Sequence, residues 1–400
     1  MFRTDPLGFL LEKGSSAHNS LIQLYLGKKT YLIVNPALVS GIKDITVGVT
    51  SKGSVFHKLK FRTESRESRS LELKEAAYTQ FMSGLVPANI EQITAIVRKN
   101  IFKLAGRNIF NANEIMAPLA LHIMSTLIFG HSTISDSDEH AFIKAVKFVE
   151  AQMQHPINRV LPGVEADCTG YAEIQASRRI IRAILKRLRE KALPGSLFRA
   201  MEKSGADSKE LDNEILAVLL IGYYFIGGSA PWTLYFMAVH DGLQEKLAQE
   251  AEAISDSVGE LSFDGLSTAK TSVALTHEVL RLYPPVWWSS RTLETEKTIE
   301  GCRLFPGTSL IVSPWQLGRD ARYWHKPDEF NLHRNYNTPA FCPFGAGLRA
   351  NISSSIATSI LQIITLNFSV CYRLSYKSRY PAPPPLAAGA LMPPKISLSM

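Results

Sequence analysis

Cysteine is scarce in this chain. The four cysteines, Cys168, Cys302, Cys342 and Cys371, lie far apart and form no C-x-x-C pair. That spacing argues against a zinc site and against a disulfide framework, and it suits a reducing compartment. No Lys/Arg cluster is interleaved with aromatic residues, which removes the usual footprint of nucleic-acid binding. The N-terminal stretch MFRTDPLGFLLEKG lacks the apolar core of a signal peptide or anchor. There are no internal repeats. The formal net charge of +8 is modest for 400 residues. It is met by scattered Lys and Arg more simply than by a basic face for an acidic partner or an anionic membrane.

What is present is the composition of a soluble globular protein, 46% hydrophobic and 20% charged, long enough to bury one large core or two ordinary ones. One stretch, 215–239, carries no charge and is long enough to cross a bilayer. Gly227, Gly228 and Pro231 interrupt it and no basic flank orients it, so it reads as a long buried helix rather than a transmembrane anchor.

Leu21–Val39 reads as two short strands around a Gly-Lys-Lys turn, followed by a helix opened near Asn35-Pro36. Ser54–Arg69 is strongly basic, and Phe56 and Lys60 share a helix face at a spacing of four. Ala88–Leu104 and Asn113–Gly130 show apolar residues at helical spacing, the second with Asn113 as N-cap and Gly130 as stop. Phe142–Met153 and Tyr171–Leu188 read as amphipathic helices joined by a loop over Pro156–Gly170. Leu211–Val239 is the long central helix, where Pro231 removes a backbone hydrogen bond. The tail from Pro381 is proline-rich and extended.

Three motifs follow in order. Glu278 and Arg281 form E-x-x-R ahead of Leu282-Tyr283-Pro284-Pro285, one helical turn apart, so a bidentate ion pair can form in a helix that the prolines end. Pro327, Phe330 and Arg334 form P-x-x-F-x-x-x-R. Phe344, Gly347 and Arg349 form F-x-x-G-x-R in the run FCPFGAGLRANIS. In this order and at these spacings the motifs resemble those of the cytochrome P450 family, most closely over Ala274–Leu366.

The resemblance implies a mainly α fold with small β-sheets, the cytochrome P450 fold, as one domain over residues 1–400. That domain comprises a small N-terminal β part at 20–40, a helical body at 50–380 and the tail at 381–400. It implies that Glu278, Arg281 and Arg334 form a structural triad. It implies haem b held by an axial cysteine thiolate, with Arg349, Arg291 and Lys60 as candidates for the propionates. In this sequence the axial position is Asn351, and Ser353 stands where the family has glycine. The family's central helix carries an acid and a threonine that deliver protons to oxygen. Here the corresponding stretch is YYFIGGSAPWTLYF, with Gly227 and Gly228 kept, no acid, and Ser229 as the only hydroxyl immediately there.

A thiolate's electron donation is what favours O–O cleavage, and a neutral amide does not replace it. Two departures in the oxygen-activating apparatus, beside intact structural motifs, point to a protein that binds no cofactor. It would use its apolar cavity for cyclisation, rearrangement or isomerisation of a bulky terpenoid-like substrate in secondary metabolism. Tyr223, Tyr224, Gly227, Gly228, Ser229 and Trp232 are the cavity candidates, each with core packing as its plainer role; no residue is assigned to catalysis. Two alternatives stand beside this reading. One is a haem monooxygenase that hydroxylates a terpenoid or steroid-like molecule with electrons from a reductase partner. The other is a non-catalytic protein that binds an apolar ligand. The expected location is cytoplasmic or peripheral to the endoplasmic reticulum membrane.

Overall fold

The computed structural model describes residues 2, 4–16, 19–26, 29–41, 46–48, 70–154, 171–203, 208–345, 348–378, 381–387 and 391–400. At 40, 46–48, 70–83, 153–154, 171, 209–210 and 348–353 it describes the backbone alone. The basic stretch with Phe56 and Lys60, and the loop expected at Pro156–Gly170, lie outside the described residues.

The chain opens with a helix that periodicity alone did not mark, α1 (Pro6–Ser15). Asp5 caps it by accepting from the Gly8 amide at 2.9 Å, and Pro6 stands at its first position, where no N–H is needed. The hairpin β1 (Leu21–Tyr25) and β2 (Lys29–Ile33) follows, then α2 (Ala37–Gly41) and β3 (Thr46–Gly48). Next come α3 (Ser70–Phe102), β4 (Ile109–Asn111), α4 (Ala112–Phe129), α5 (Asp136–Gln154), α6 (Tyr171–Glu190), α7 (Leu197–Lys203) and the central α8 (Ser208–Val239). The last part holds α9 (Leu243–Ala253), α10 (Phe263–Leu266), α11 (Lys270–Leu282), β5 (Ser289–Leu293), β6 (Lys297–Ile299), β7 (Cys302–Leu304), β8 (Ser309–Val312), α12 (Pro314–Leu317), α13 (Leu348–Cys371), β9 (Leu386–Ala387), β10 (Leu391–Met392) and β11 (Ser397–Ser399).

Three expectations change. The sheet is not confined to residues 20–40: its order is β1-β2-β8-β5-β3, with β2 and β8 parallel, so strands from 21–48 and 289–312 share one layer. The tail is not simply extended, because β9 and β10 form a hairpin and β11 pairs with β4. The N-cap of α4 is Asn111, whose side chain accepts from the Asn113 amide at 3.1 Å. Gly130 does close that helix, in the left-handed conformation at φ 79° that glycine adopts without a Cβ clash.

The main core lies between α3, α4, α8 and α13, which pack on one another. Windows in α4, α8 and α13 are long and apolar enough to cross a membrane by length and composition, and they are 72%, 78% and 67% buried within the fold. That burial accounts for their hydropathy: a helix apolar all round belongs inside a large core. Smaller clusters cover the two faces of the β1–β2 layer, one of them seating Trp287 and Trp315.

Candidate functional site

Glu278 and Arg281 sit one turn apart at the end of α11, with side chains 0% exposed. Arg281 donates from Nε and Nη2 to the two carboxylate oxygens, both at 2.8 Å. Arg334 donates from Nε to Glu278 Oε1 at 3.0 Å. The Asn331 amide and the Tyr336 hydroxyl each add a bond to the same carboxylate at 2.8 Å. The two arginines spend their other donors on the carbonyls of Gly318, Pro327, Glu329, His325 and Lys326. Burial pushes the Glu278 carboxyl up. The hydrogen bonds and charge of Arg281, with Tyr336 and Asn331, outweigh that and hold it below the usual carboxylate range. The cluster is a closed, fully bonded ionic knot that ties α11 to the segment 318–336. Tyr336 and Asn331 were not singled out from the sequence; a tyrosine two residues beyond Arg334 was the only signal.

The loop after this knot turns at Cys342–Gly345, where the Gly345 amide donates to the Cys342 carbonyl at 2.8 Å and Gly345 takes φ 80°. Cys342 packs against the sheet cluster, and burial pushes its thiol up to about 12. Asn351 lies in the first turn of α13; its side chain and that of Arg349 lie outside the described ones. Arg291 stands on β5, half-buried and paired through its backbone with Leu310.

Above the loop runs α8, and the six cavity candidates on it are all buried. Tyr223 packs edge-on against Phe142 of α5 and against Tyr224. Trp232 stacks on Tyr283 with ring centroids 3.7 Å apart. Ser229 Oγ and Trp232 Nε1 meet no hydrogen-bond partner among the described residues. The two glycines differ sharply. A Cβ on Gly228 would lie 3.0 Å from the Leu391 carbonyl of β10, so the C-terminal hairpin presses on the helix there. A Cβ on Gly227 would meet nothing within 4 Å, although the residue is buried: the helix borders open interior space at that point. Pro231, four residues on, has no N–H to give the Gly227 carbonyl, so that carbonyl lacks its intrahelical partner beside the space.

One titratable group in this region was missed from the sequence. Glu150, near the end of α5, is 8% exposed and faces α8. Burial lifts its carboxyl to about 7, against the opposing influence of Lys147 and of the Tyr224 hydroxyl. The Tyr224 hydroxyl acts on the carboxyl, and Glu150 Oε1 has no partner among the described residues. The signal was available: Phe142, Val146 and Glu150 stand at i, i+4 and i+8, which puts an acid on the apolar stripe of its helix.

The long helix α8 against α13, the ionic knot on α11 and the glycine-turn loop form the scaffold that the three sequence motifs implied. Comparison places the chain by name. The family model for Cytochrome P450 matches residues 49–399, and this chain belongs to the cytochrome P450 family. Cytochrome P450 CYP749A22 of Panax ginseng is 24% identical over 342 residues, which is 76% of this chain and 63% of that protein. Cytochrome P450 3A9 of Rattus norvegicus is 29% identical over 173 residues, 40% of this chain and 34% of that protein. Norfluorocurarine oxidase of Strychnos sp is 28% identical over 158 residues, 37% of this chain and 31% of that protein. The chain thus spans less than two thirds of each of these relatives. Among solved structures, CYP102L1 superposes with a TM-score of 0.77 at 17% identity, covering 100% of this chain and 98% of that one. CYP175A1 from Thermus thermophillus superposes with 0.76 at 21%, covering 100% and 95%. At these identities the superpositions establish the fold.

The family's prosthetic group is haem, and the residues here do not fit a thiolate-ligated one. Asn351 offers a neutral amide where iron needs His, Cys, Met or Tyr. Cys342 packs against the sheet cluster, nine residues before Asn351. The family sets the macrocycle between the central helix and this loop. In this chain the ring of Phe225 on α8 stacks directly on Phe344 of the loop, centroids 4.9 Å apart and 23° from parallel. A flat macrocycle between two such rings needs about 7 Å, two van der Waals contacts of roughly 3.5 Å each.

Proposed function

We propose that this chain uses the P450 scaffold as a receptor for a bulky apolar small molecule, terpenoid or steroid-like, without thiolate-haem oxygen activation. The observation that carries the reading is the state of the two sides of α8. Phe225 and Phe344 close the side toward the loop, while open interior space borders Gly227 within the helical core. Room beside a buried helix among apolar side chains is where a small-molecule site ordinarily forms. The Glu278–Arg281–Arg334 knot acts in this reading as structure, holding α11 and the loop in place. The protein is expected in the cytoplasm or at the surface of the endoplasmic reticulum membrane.

The isomerisation or cyclisation expected from the sequence is the catalytic form of this reading. It needs a group able to start the reaction, and none of the relatives' names points to it. The oxidative reading has a specific observation behind it, namely family membership together with a relative named as an oxidase. Monooxygenation is the usual activity of the family, and a reductase would then be the partner. One experiment separates the readings: haem content of the purified protein, followed by binding of an apolar steroid to the haem-free chain. Haem-free protein that binds the steroid supports the receptor. Stoichiometric haem with oxidative turnover supports the monooxygenase.

A further inference from the structure

Helix α6 concentrates the charge of the chain. It holds six arginines and lysines against Glu173 and Glu190, a net +4, which is half of the chain's formal +8. Its apolar stripe through Ile174, Ile181, Ile184 and Leu188 is buried, and the helix packs on α5, so the cations take the rest of its surface. Arg187 is met by Asp138 of α5, Nε donating to Oδ2 at 3.0 Å. Arg182, Lys186 and Arg189 stand at i, i+4 and i+7, which puts them on one face. Together with Ala183, Leu185 and Asp212 of α8 they line a recess of about 270 Å³.

We infer that this recess binds a phosphomonoester, either a soluble one or the headgroup of a lipid. Among the described residues that line it, three cations face one carboxylate, a balance of +2. A phosphomonoester carries about −1.5 to −2 at neutral pH, so the charges match. The carboxylate is already engaged: Arg189 donates from Nη1 to Asp212 Oδ1 at 2.8 Å. The Arg189 guanidinium carbon also lies 6.0 Å from the centre of the Phe198 ring of α7, so its planar fork is held at the recess from two sides. Arg182 is half-buried beside it; burial and the Arg178 charge lower it to about 10 against the pull of Asp212, and it stays charged at neutral pH. Lys186 is exposed at the rim, where its long stem can swing a third set of donors onto a bound oxyanion. Like charges one turn apart repel, and an anion between Arg182 and Lys186 reverses the sign of that interaction. The site is independent of the receptor reading, because Asp212 stands fifteen residues before Gly227, about 22 Å along α8.

Two probes share the phosphomonoester and differ in source: glycerol 3-phosphate, followed by calorimetry, and phosphatidylcholine vesicles with and without phosphatidic acid, followed by co-sedimentation. The full chain is expected to bind at least one of them at low salt, and more weakly as the salt rises. Arg182→Gln with Lys186→Gln should weaken that binding about tenfold or more, the worth of a charge-assisted hydrogen bond. Lys191→Gln, which removes an exposed cation just past the end of α6 and outside the recess, should change it less than about twofold. The double variant should melt no lower than the parent, because it removes like-charge repulsion; should it fail to fold, Lys186→Gln alone, on an exposed side chain, carries the same comparison. Binding of glycerol 3-phosphate with this residue dependence assigns a soluble ligand. Binding of the phosphatidic acid vesicles alone, with the same dependence and none to phosphatidylcholine, assigns a lipid headgroup. Equal losses in the recess variants and in Lys191→Gln show a diffuse basic field and overturn the site. Binding of neither probe overturns it as well.

Discussion

Two buried glutamates divide the molecule. Glu278 is held as an anion by two arginines, a tyrosine hydroxyl and a backbone amide. Burial pushes the Glu150 carboxyl up to about 7, and one of its oxygens has no partner among the described residues. The same side chain is thus pushed in opposite directions in two parts of one fold, and the difference lies in the supply of donors. Around Glu278 every charge is answered, which gives a rigid element that joins distant segments. Around Glu150, Ser229 and Trp232, buried polar atoms are left without a hydrogen-bond partner among the described residues.

The sharpest way to break this contrast is at the knot. Glu278→Ala leaves two buried arginines uncompensated and should cost about 3–5 kcal/mol, read as loss of soluble protein or a large fall in melting temperature. A folded, equally stable variant would contradict a structural role. The next effect is opposite in sign. The folded carboxyl of Glu150 titrates near 7 against an ordinary 4.5, so its contribution to stability is full below about 4.5 and declines as the pH rises to about 7. Glu150→Gln should therefore flatten that decline and raise stability at about pH 8 by up to about 3 kcal/mol, measured by urea unfolding across pH. Glu278, with its carboxyl held low, gives the reverse profile: its stabilisation is present above the ordinary carboxylate range and lost as the pH falls through its lowered value. Tyr336→Phe removes one bond to the Glu278 carboxylate and should cost about 2 kcal/mol. Smallest of all, Gly227→Ala should stabilise by about 0.5–1 kcal/mol through helix propensity, since its Cβ enters open space. Gly228→Ala should destabilise, because the Leu391 carbonyl stands in the way.

The knot and the chamber were unequally legible in the sequence. Glu278, Arg281 and Arg334 sit in motifs with fixed spacing and turn chemistry, so they read as one cluster from the sequence alone. The long helices were legible because their apolar pattern is sustained over many turns. Helix α1 was missed because its start signal, Asp5-Pro6, stands close to the chain end with little periodicity behind it. The strands of the tail were not legible because its prolines mask short strands whose partners, such as β4, are nearly 300 residues away. Glu150 was missed because an acid at the end of an amphipathic helix looks solvated unless the stripe through Phe142 and Val146 is followed to its third turn. The stacking of Phe225 on Phe344 joins residues that no local pattern connects.

The most direct test is the haem content of the full chain, purified under haem-replete expression and assayed as the pyridine haemochrome and the reduced carbon monoxide complex. The expected result is protein with no stoichiometric haem and no thiolate-type carbon monoxide band, because Asn351 supplies no ligand and Phe225 lies on Phe344. Protein that carries one haem per chain with that band would contradict the account at its centre.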